Sequence, residues 1–339
     1  MEPGKKPRSV RVGSDKPPGE WQRIDGLLVL DKAAGVSSHR AVQEVRRLYR
    51  AAKAGHGGTL DPLATGMLPV AFGETTKFLH ALLDADKGYT AQIVLGRSST
   101  TGDAEGTLSD WVDPRPVRDA VGQALAELRA STLQVPPMYA ALKQGGVALY
   151  KLARQGMQLE RPARTVRIHR LDMLAMVESV VEGVPAVLLE VEVHCSKGTY
   201  LRSLAHDLGA MLGCGAYLGA LRRTRVGNLG VDRMFSASHL QSLDRASRLA
   251  CLLPVDHLIT HLPRVDLEED LAARFCCGQR LRVAGEAVVH SGAVVHNGAE
   301  LCQVRVYGVC GGGSHLLGMG MLDAAGRLVP QRLVASAAP

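Results

Sequence analysis

The order of apolar and polar positions predicts a strand followed by an amphipathic helix within the first fifty residues of the chain. Gly26 to Asp31 is a short apolar run that ends at a polar turn, which is typical of a buried strand. Beyond it, Ala41, Val45 and Leu48 recur at helical spacing, while arginines occupy the other positions. We therefore expect a helix that packs on one side and is basic on the other.

The same periodicities continue through the next two thirds of the sequence. Tyr89 to Leu95 alternates between apolar and polar residues as a strand does, and a polar loop follows from Gly96 to Gly106. The further expected elements are a helix at Val117 to Leu128, strands at Thr165 to Met173 and Ala186 to Val193, and a helix that begins near Leu201.

Beyond Leu252 to Pro263 the composition changes to short β-prone runs with turn signals. Those runs are Arg280 to Val289, Glu300 to Val309, Leu316 to Leu322 and Leu328 to Leu333, with a hairpin signal at Asn297-Gly298. The sequence thus predicts a basic tail at residues 1–20, a catalytic or binding domain at 21–262 and a small β domain at 263–339.

Composition narrows the class of protein. The 339 residues are too many for a small disulfide scaffold, and no stretch approaches the roughly 18 apolar residues of a membrane span. Seven cysteines without a Cys-x-x-Cys motif or an export signal indicate reduced thiols in the cytoplasm. The net charge of +7 favours a polyanionic partner such as RNA or DNA. Phosphate-loop and zinc-helix motifs are absent, so chemistry without a metal or cofactor is expected.

One glycine- and proline-rich loop carries a specific resemblance. Residues 55–69, GHGGTLDPLATGMLP, resemble the active-site motif of the TruB family of tRNA pseudouridine synthases. The resemblance extends to GLLVLDK at 26–32, GVSSH at 35–39, KGY at 87–89, QVPPMY at 134–139, CSKGTYLR at 195–202 and LRR at 221–223, in the order found in the family. It implies an α+β fold in which a catalytic domain with a mixed sheet and a central cleft precedes a PUA-like domain.

The resemblance also implies an activity and a set of site residues. The activity is isomerisation of the uridine at position 55 in the T-loop of tRNA, which needs an ionised carboxylate near a nucleotide extruded from the folded RNA. Asp61 is the implied nucleophile and Arg202 its partner. The implied uracil contacts are Tyr89, which stacks on the flipped base, together with His56, Tyr200 and Leu221. The residues themselves leave three routes open: addition to C6, attack on C1′, or proton removal from C2′.

Other expectations concern partners. Lys32, Arg222 and Arg223 are candidate contacts to the RNA backbone, although solvated basic residues give the same pattern. The expected partner is the T-arm of tRNA, with no membrane, no obligatory protein partner and a monomeric chain. Two alternatives stay open: a protein that binds and remodels tRNA with modification as a secondary activity, and a catalytic subunit that depends on a guide RNA.

Overall fold

The structure is a computed structural model that describes residues 20–140, 142–144, 147–153, 155, 157, 159–283, 301–310 and 313–334. The strands are β1 (Gly26–Lys32), β2 (Ala54–His56), β3 (Thr65–Phe72), β4 (Lys87–Leu95), β5 (Leu133–Gln134), β6 (Lys143–Gln144), β7 (Val147–Ala148), β8 (Arg164–Thr165), β9 (Ile168–Val181), β10 (Val184–Cys195), β11 (Ala216–Val226), β12 (Phe235–Ser236), β13 (Arg264–Leu267), β14 (Leu281–Arg282), β15 (Leu301–Cys310), β16 (Gly313–Asp323) and β17 (Arg327–Leu333). The helices are α1 (Ser38–Tyr49), α2 (His80–Asp84), α3 (Val121–Ala130), α4 (Leu149–Ala153), α5 (Leu201–Leu212), α6 (Ala237–Ser242), α7 (Arg245–Ala250) and α8 (Glu269–Cys276).

The larger sheet is mixed, as expected. Its strand order is β12-β1-β3-β11-β4-β10-β9, with β2 paired to β3. β1 and β3 are antiparallel, β3 and β11 are parallel, and β4 lies antiparallel between β11 and β10. This order brings strands from distant parts of the sequence side by side, which places residues near 61, 89 and 222 in one region.

The predicted strand and helix at the start of the chain are confirmed. Ser37 caps α1 by accepting the Arg40 N–H, and Arg50 ends the helix in a left-handed conformation with φ 53°. Ala41 and Val45 pack on the sheet face formed by β1 and β3, whereas Leu48 is only partly buried. α1 thus covers one face of the sheet.

Helices α3 and α5 cover the other face, where they form a continuous core with β4, β10 and β11. Two expected elements differ in length from the prediction. The segment that begins at Arg115 is a 3₁₀ helix before it becomes α3, and the strand expected at Thr165 to Met173 is the pair β8 and the 14-residue β9. Periodicity locates such elements better than it locates their ends.

The C-terminal part forms a second sheet of five strands in the order β13-β15-β16-β17-β14. It packs directly against the first part, because Met319 and Val334 lie in the same apolar cluster as Leu27 and Phe78. Lys77 also donates a hydrogen bond to the Leu333 carbonyl at 2.7 Å. The predicted strands at 300–309, 316–322 and 328–333 are confirmed, whereas the Asn297-Gly298 hairpin and the N-terminal tail lie outside the described residues. No described helix is long and apolar enough to cross a membrane.

Candidate active site

The loop between β2 and β3 carries Asp61 and is anchored through its main chain. The Ser38 hydroxyl, at the start of α1, donates to the Leu60 carbonyl at 2.9 Å and accepts from the Leu60 N–H at 2.8 Å. The Asp61 carbonyl accepts from the Ala64 N–H at 3.1 Å, which closes the turn after the acid. The backbone on both sides of Asp61 is therefore held by contacts that do not involve the Asp61 side chain.

The Asp61 carboxylate forms an ion pair with Arg202. The Arg202 Nε lies 3.0 Å from Asp61 Oδ2, and the arginine side chain is 5% exposed while that of Asp61 is 38% exposed. Arg202 also donates to the carbonyls of Thr101 at 3.1 Å and Tyr139 at 2.8 Å. Because those carbonyls hold the guanidinium, Arg202 sets the orientation of a carboxylate that solvent still reaches.

Burial and the neighbouring positive charges shift the pKa of Asp61 in opposite directions. Burial raises the pKa of its carboxyl above the usual 3.8, and the nearby negative charge of Asp103 raises it further. The charges of Arg202 and Lys32 lower this pKa and so offset part of the rise. The ion pair thus favours the ionised form that a nucleophile requires.

Asp103 is a functional candidate that the sequence analysis missed. It is 3% exposed, lies 3.6 Å from Arg202 Nε through Oδ2, and accepts hydrogen bonds from the Thr101 hydroxyl and the Glu105 N–H. Arg202 therefore lies between two carboxylates, of which only Asp61 is accessible. The sequence shows only a Gly102-Asp103 pair in a polar loop, whereas the structure shows why glycine precedes the acid: Gly102 has φ +78°, and an added Cβ would lie 3.2 Å from the Arg202 Cβ.

Tyr89 and Leu221 lie in the apolar cluster that also contains Leu60 and Ala64, two residues of the loop that carries Asp61. Tyr89 is 8% exposed, and burial raises the pKa of its hydroxyl to about 12, so the phenol is neutral at physiological pH. Leu221, on β11, faces the same cluster at 9% exposure. The expected tyrosine and leucine thus belong to one apolar cluster together with Leu60, the residue that precedes Asp61.

Tyr200 stands at the start of α5, two residues before Arg202. The Gln134 side chain accepts from the Tyr200 N–H at 2.8 Å and donates to the Tyr200 carbonyl at 3.1 Å. Burial raises the pKa of the Tyr200 hydroxyl, and its interactions with Arg202 and Asp61 place it at the same centre. Sequence analysis grouped Gln134 with the motifs without assigning it this support role.

His56 ends β2 at the other side of the loop. Its pKa is lowered, first by burial and then by the charges of Arg223 and His39, so the neutral imidazole is favoured. Its Nδ1 is buried without a hydrogen-bond partner in the described structure. A neutral ring with an unused polar atom suits contact with a nucleobase better than contact with phosphate.

Two of the three expected backbone contacts are wrong for this conformation. Lys32 is 1% exposed, and its ammonium donates to the carbonyls of Ala33, Val36 and Pro62 at 2.9, 2.6 and 3.2 Å. Burial lowers its pKa, and no part of the ammonium is left for phosphate. Lys32 instead ties the chain after β1 to the residue that follows Asp61.

Arg223 is the second correction, since it is 2% exposed and lies inside the sheet. It donates to main-chain carbonyls of Met67, Thr59 and Gly58. Arg222, its neighbour, points outward and forms a two-pronged ion pair with Asp31 at 3.0 and 2.8 Å. Only Arg222 of these two arginines remains available at the surface.

The described residues contain no group of three or more His, Cys, Asp or Glu side chains arranged to hold a metal ion. What the site offers is an accessible carboxylate oriented by a buried arginine, with tyrosine, leucine and neutral histidine side chains around it. Such a set provides a nucleophile or base and apolar surfaces for a flat ring.

Comparison with known proteins gives a consistent result along the chain. Residues 46–201 match the model of the TruB family pseudouridylate synthase N-terminal domain, residues 202–260 match a tRNA pseudouridylate synthase B C-terminal domain, and residues 263–334 match the pseudouridine synthase II TruB C-terminal model. The chain is 46% identical over 315 residues to a tRNA pseudouridine synthase B of Aromatoleum aromaticum, covering 93% of this chain and 94% of that protein. It is 50% identical over 287 residues to the protein of the same name from Chromohalobacter salexigens, covering 84% and 91%.

Among solved structures, the chain resembles that of a Cbf5-Nop10-Gar1 complex with a TM-score of 0.63 and 26% identity. The match covers 91% of this chain and 84% of the other. The family models and the relatives of similar sequence thus name the same family.

Proposed function

The chain belongs to the TruB family of pseudouridine synthases, and we propose from this premise that it converts uridine 55 in the T-loop of tRNA to pseudouridine. Relatives named tRNA pseudouridine synthase B, identical at 43–50% of positions, support tRNA as the substrate. The single observation that carries the chemistry is the ion pair between the accessible Asp61 and the buried Arg202.

The reaction needs no external group. The N1–C1′ bond breaks, the uracil rotates and C5 joins C1′, while the proton lost from C5 is balanced by one gained at N1. Asp61 supplies the ionised carboxylate for this exchange, by any of the three routes, and Arg202 holds that carboxylate in place and favours its charged form. The geometry of the protein alone is compatible with addition to C6, attack on C1′ and removal of the C2′ proton.

The remaining site residues hold the extruded base. Tyr89 offers a ring that stacks on uracil, worth about 1–3 kcal/mol per base in other proteins, and Leu221 forms an apolar wall beside it. Tyr200 lines the pocket next to Asp61, and His56 contacts the region that the base leaves. These roles are supported by the apolar cluster that Tyr89 and Leu221 share with Leu60, the residue before Asp61, and by the position of Tyr200 two residues before Arg202, the partner of Asp61.

We also propose the wider setting of this activity. The protein acts in the cytoplasm as a monomer on the T-arm, without a guide RNA or an obligatory protein partner. It comprises a catalytic domain at 21–262 and a PUA-like RNA-binding domain at 263–339, a division supported by the separate family match at residues 263–334. Arg222 contributes a backbone contact at the surface, supported by its outward position.

Single-turnover formation of pseudouridine on unmodified tRNA and on an isolated T-arm hairpin tests the proposal. The purified protein alone should form the product, and Asp61→Asn should form none while its affinity for tRNA stays within about threefold. Asp110→Asn, an exposed acid in the loop before α3, is the matched control and should leave the rate unchanged.

Product formation by Asp61→Asn at the wild-type rate would refute the assigned nucleophile. Binding without product from the wild-type protein would favour instead a protein that remodels tRNA or depends on a guide RNA.

A further inference from the structure

Arg223 is a buried cation whose role the reaction scheme does not explain. At 2% exposure it is among the few charged side chains of the core, and in the described part of the chain its guanidinium donates to main-chain carbonyls rather than to a carboxylate. Arginine keeps its proton in proteins, so this charge is present although burial lowers its pKa. A cation without an acidic partner is costly to bury, and such sites are functional more often than other core positions.

The guanidinium contacts the loop that carries Asp61 and the strand β3 that follows it. Nε donates to the Met67 carbonyl at 2.7 Å, Nη2 to the Gly58 carbonyl at 3.1 Å and Nη1 to the Thr59 carbonyl at 3.4 Å. Gly58 and Thr59 precede Asp61 by three and two residues. Arg223 therefore holds the loop from the side of β11, as Ser38 holds it at Leu60 from the side of α1.

The same side chain reaches Tyr89. Arg223 and Tyr89 are directly opposite each other in the antiparallel pairing of β11 with β4, so both side chains lie on one face of the sheet. The two side chains also shift each other's pKa: Tyr89 raises that of the guanidinium, and Arg223 lowers that of the tyrosine hydroxyl, each against the larger effect of burial. One planar group thus holds the backbone that leads to Asp61 and lies beside the ring expected to stack on the base.

The backbone around Arg223 is built for this close approach. Gly66 pairs with Arg223 across the parallel β3–β11 contact. A Cβ at Gly66 would lie 2.3 Å from the Arg223 carbonyl oxygen, and the glycine has φ +93°. Only glycine allows β11 to bring Arg223 so near to the loop.

We propose that Arg223 is a positioning residue for the isomerisation: it holds the Asp61 loop beside Tyr89, so that carboxylate and ring face the same nucleotide. This inference rests on the proposed function, because it assigns Arg223 to the chemical step rather than to RNA affinity. The alternative is a purely structural role, in which the Arg223 guanidinium only hydrogen-bonds main-chain carbonyls and contributes to the stability of the fold but not to the rate of the reaction.

Arg248 provides a matched control for that alternative. Its guanidinium also donates to three main-chain carbonyls, those of Leu240, Leu48 and Leu243 at 2.9, 3.0 and 2.7 Å, but Arg248 lies on α7 and these bonds join it to α1 and to the end of α6, none of which carries a residue of the candidate site. Replacing either arginine by lysine keeps the charge and removes the fork of donors. Arg223→Lys and Arg248→Lys therefore make the same chemical change at two places.

The test measures melting temperature, tRNA affinity and single-turnover rate at saturating tRNA for wild type and both variants. Both variants should melt earlier. Arg223→Lys should lower the rate about tenfold to a hundredfold with affinity within about threefold, whereas Arg248→Lys should keep the rate within about twofold. Arg223→Gln, which places no ammonium group in the buried site, is measured under the same criterion in case the lysine variant does not fold.

Equal rates for folded Arg223→Lys, Arg223→Gln and wild type would overturn the proposal and leave Arg223 a structural residue. A loss of affinity with an unchanged rate would also overturn it. If the wild-type protein forms no pseudouridine, the proposed function fails instead, so the two failures are distinguishable.

Discussion

Gln134 supports the start of α5, and replacing it with leucine tests how much the site depends on that support. The side chain is 6% exposed and makes two hydrogen bonds with the main chain of Tyr200, which begins the helix without a side-chain cap of its own. The Tyr200 carbonyl also accepts from the Leu204 N–H at 3.1 Å, so it stays satisfied in the variant. The Tyr200 N–H loses its partner.

The magnitude follows from these two unequal losses. Leucine fills the space without a polar atom, so water does not replace the amide. An orphaned buried N–H costs about 1–3 kcal/mol and a hydrogen bond lost from an otherwise satisfied carbonyl about 0.5–1.5 kcal/mol. Gln134→Leu should therefore lower the free energy of unfolding by about 1.5–4.5 kcal/mol. Because Arg202 sits in the first turn of α5, the single-turnover rate should fall as well, by about tenfold.

Urea unfolding followed by tryptophan fluorescence measures the stability, since Trp21 and Trp111 both lie in the part of the chain that contains the site. Gln123→Leu is the control: Gln123 is exposed on α3, where it donates to Glu127 at 3.0 Å, and its replacement should change stability by less than about 0.5 kcal/mol. If Gln134→Leu unfolds like this control and keeps the wild-type rate, Gln134 does not support the site.

Two predictions concern pH. In Gln134→Glu only a protonated carboxyl can donate to the Tyr200 carbonyl, so the pKa of the new side chain in the folded state lies above the ordinary value of about 4.3. In urea unfolding the variant should therefore be as stable as wild type at acid pH and should lose stability as the pH rises. A difference in stability that does not change with pH would contradict this. For the wild type, burial raises the pKa of Asp61, so the single-turnover rate should fall with acidification at a pH above 3.8. Asp103→Asn removes the negative charge that adds to this rise and should move that fall to lower pH, at a cost of about 1–3 kcal/mol in stability from the weakened contact with Arg202. Rate profiles of the two proteins that superimpose would refute the electrostatic part of the argument.

Patterns of neighbouring residues were sufficient to predict the elements that depend only on residues close in sequence. The apolar run of β1, the helical spacing in α1 and the glycine–proline loop around Asp61 each depend on residues close in sequence, and all three are present as expected. The contact between Asp61 and Arg202 came from the family resemblance, because no rule of spacing joins residues 141 positions apart.

The incorrect predictions concern side chains whose orientation depends on how the strands pair in the folded chain. Lys32 and Arg223 were assigned to the surface from charge alone, yet β11 alternates, with Leu221 buried, Arg222 exposed and Arg223 buried. The period of two would have placed Arg223 on the face of Leu221 if it had been applied there. Asp103 and Gln134 gave weaker signals, since their partners on α5 are distant in sequence and only the folded chain brings them within hydrogen-bonding range.

Phe78 and Val334 belong to one apolar cluster, so the boundary near residue 263 in the sequence does not separate two parts that are free to move apart. Separating the two sheets would expose that cluster to water, so the halves are expected to melt cooperatively rather than in turn. A cut in the connecting chain would not by itself release either half. The shared cluster consequently opposes movement of the C-terminal sheet relative to Asp61, and we expect an RNA that contacts both to meet one preferred arrangement of the two.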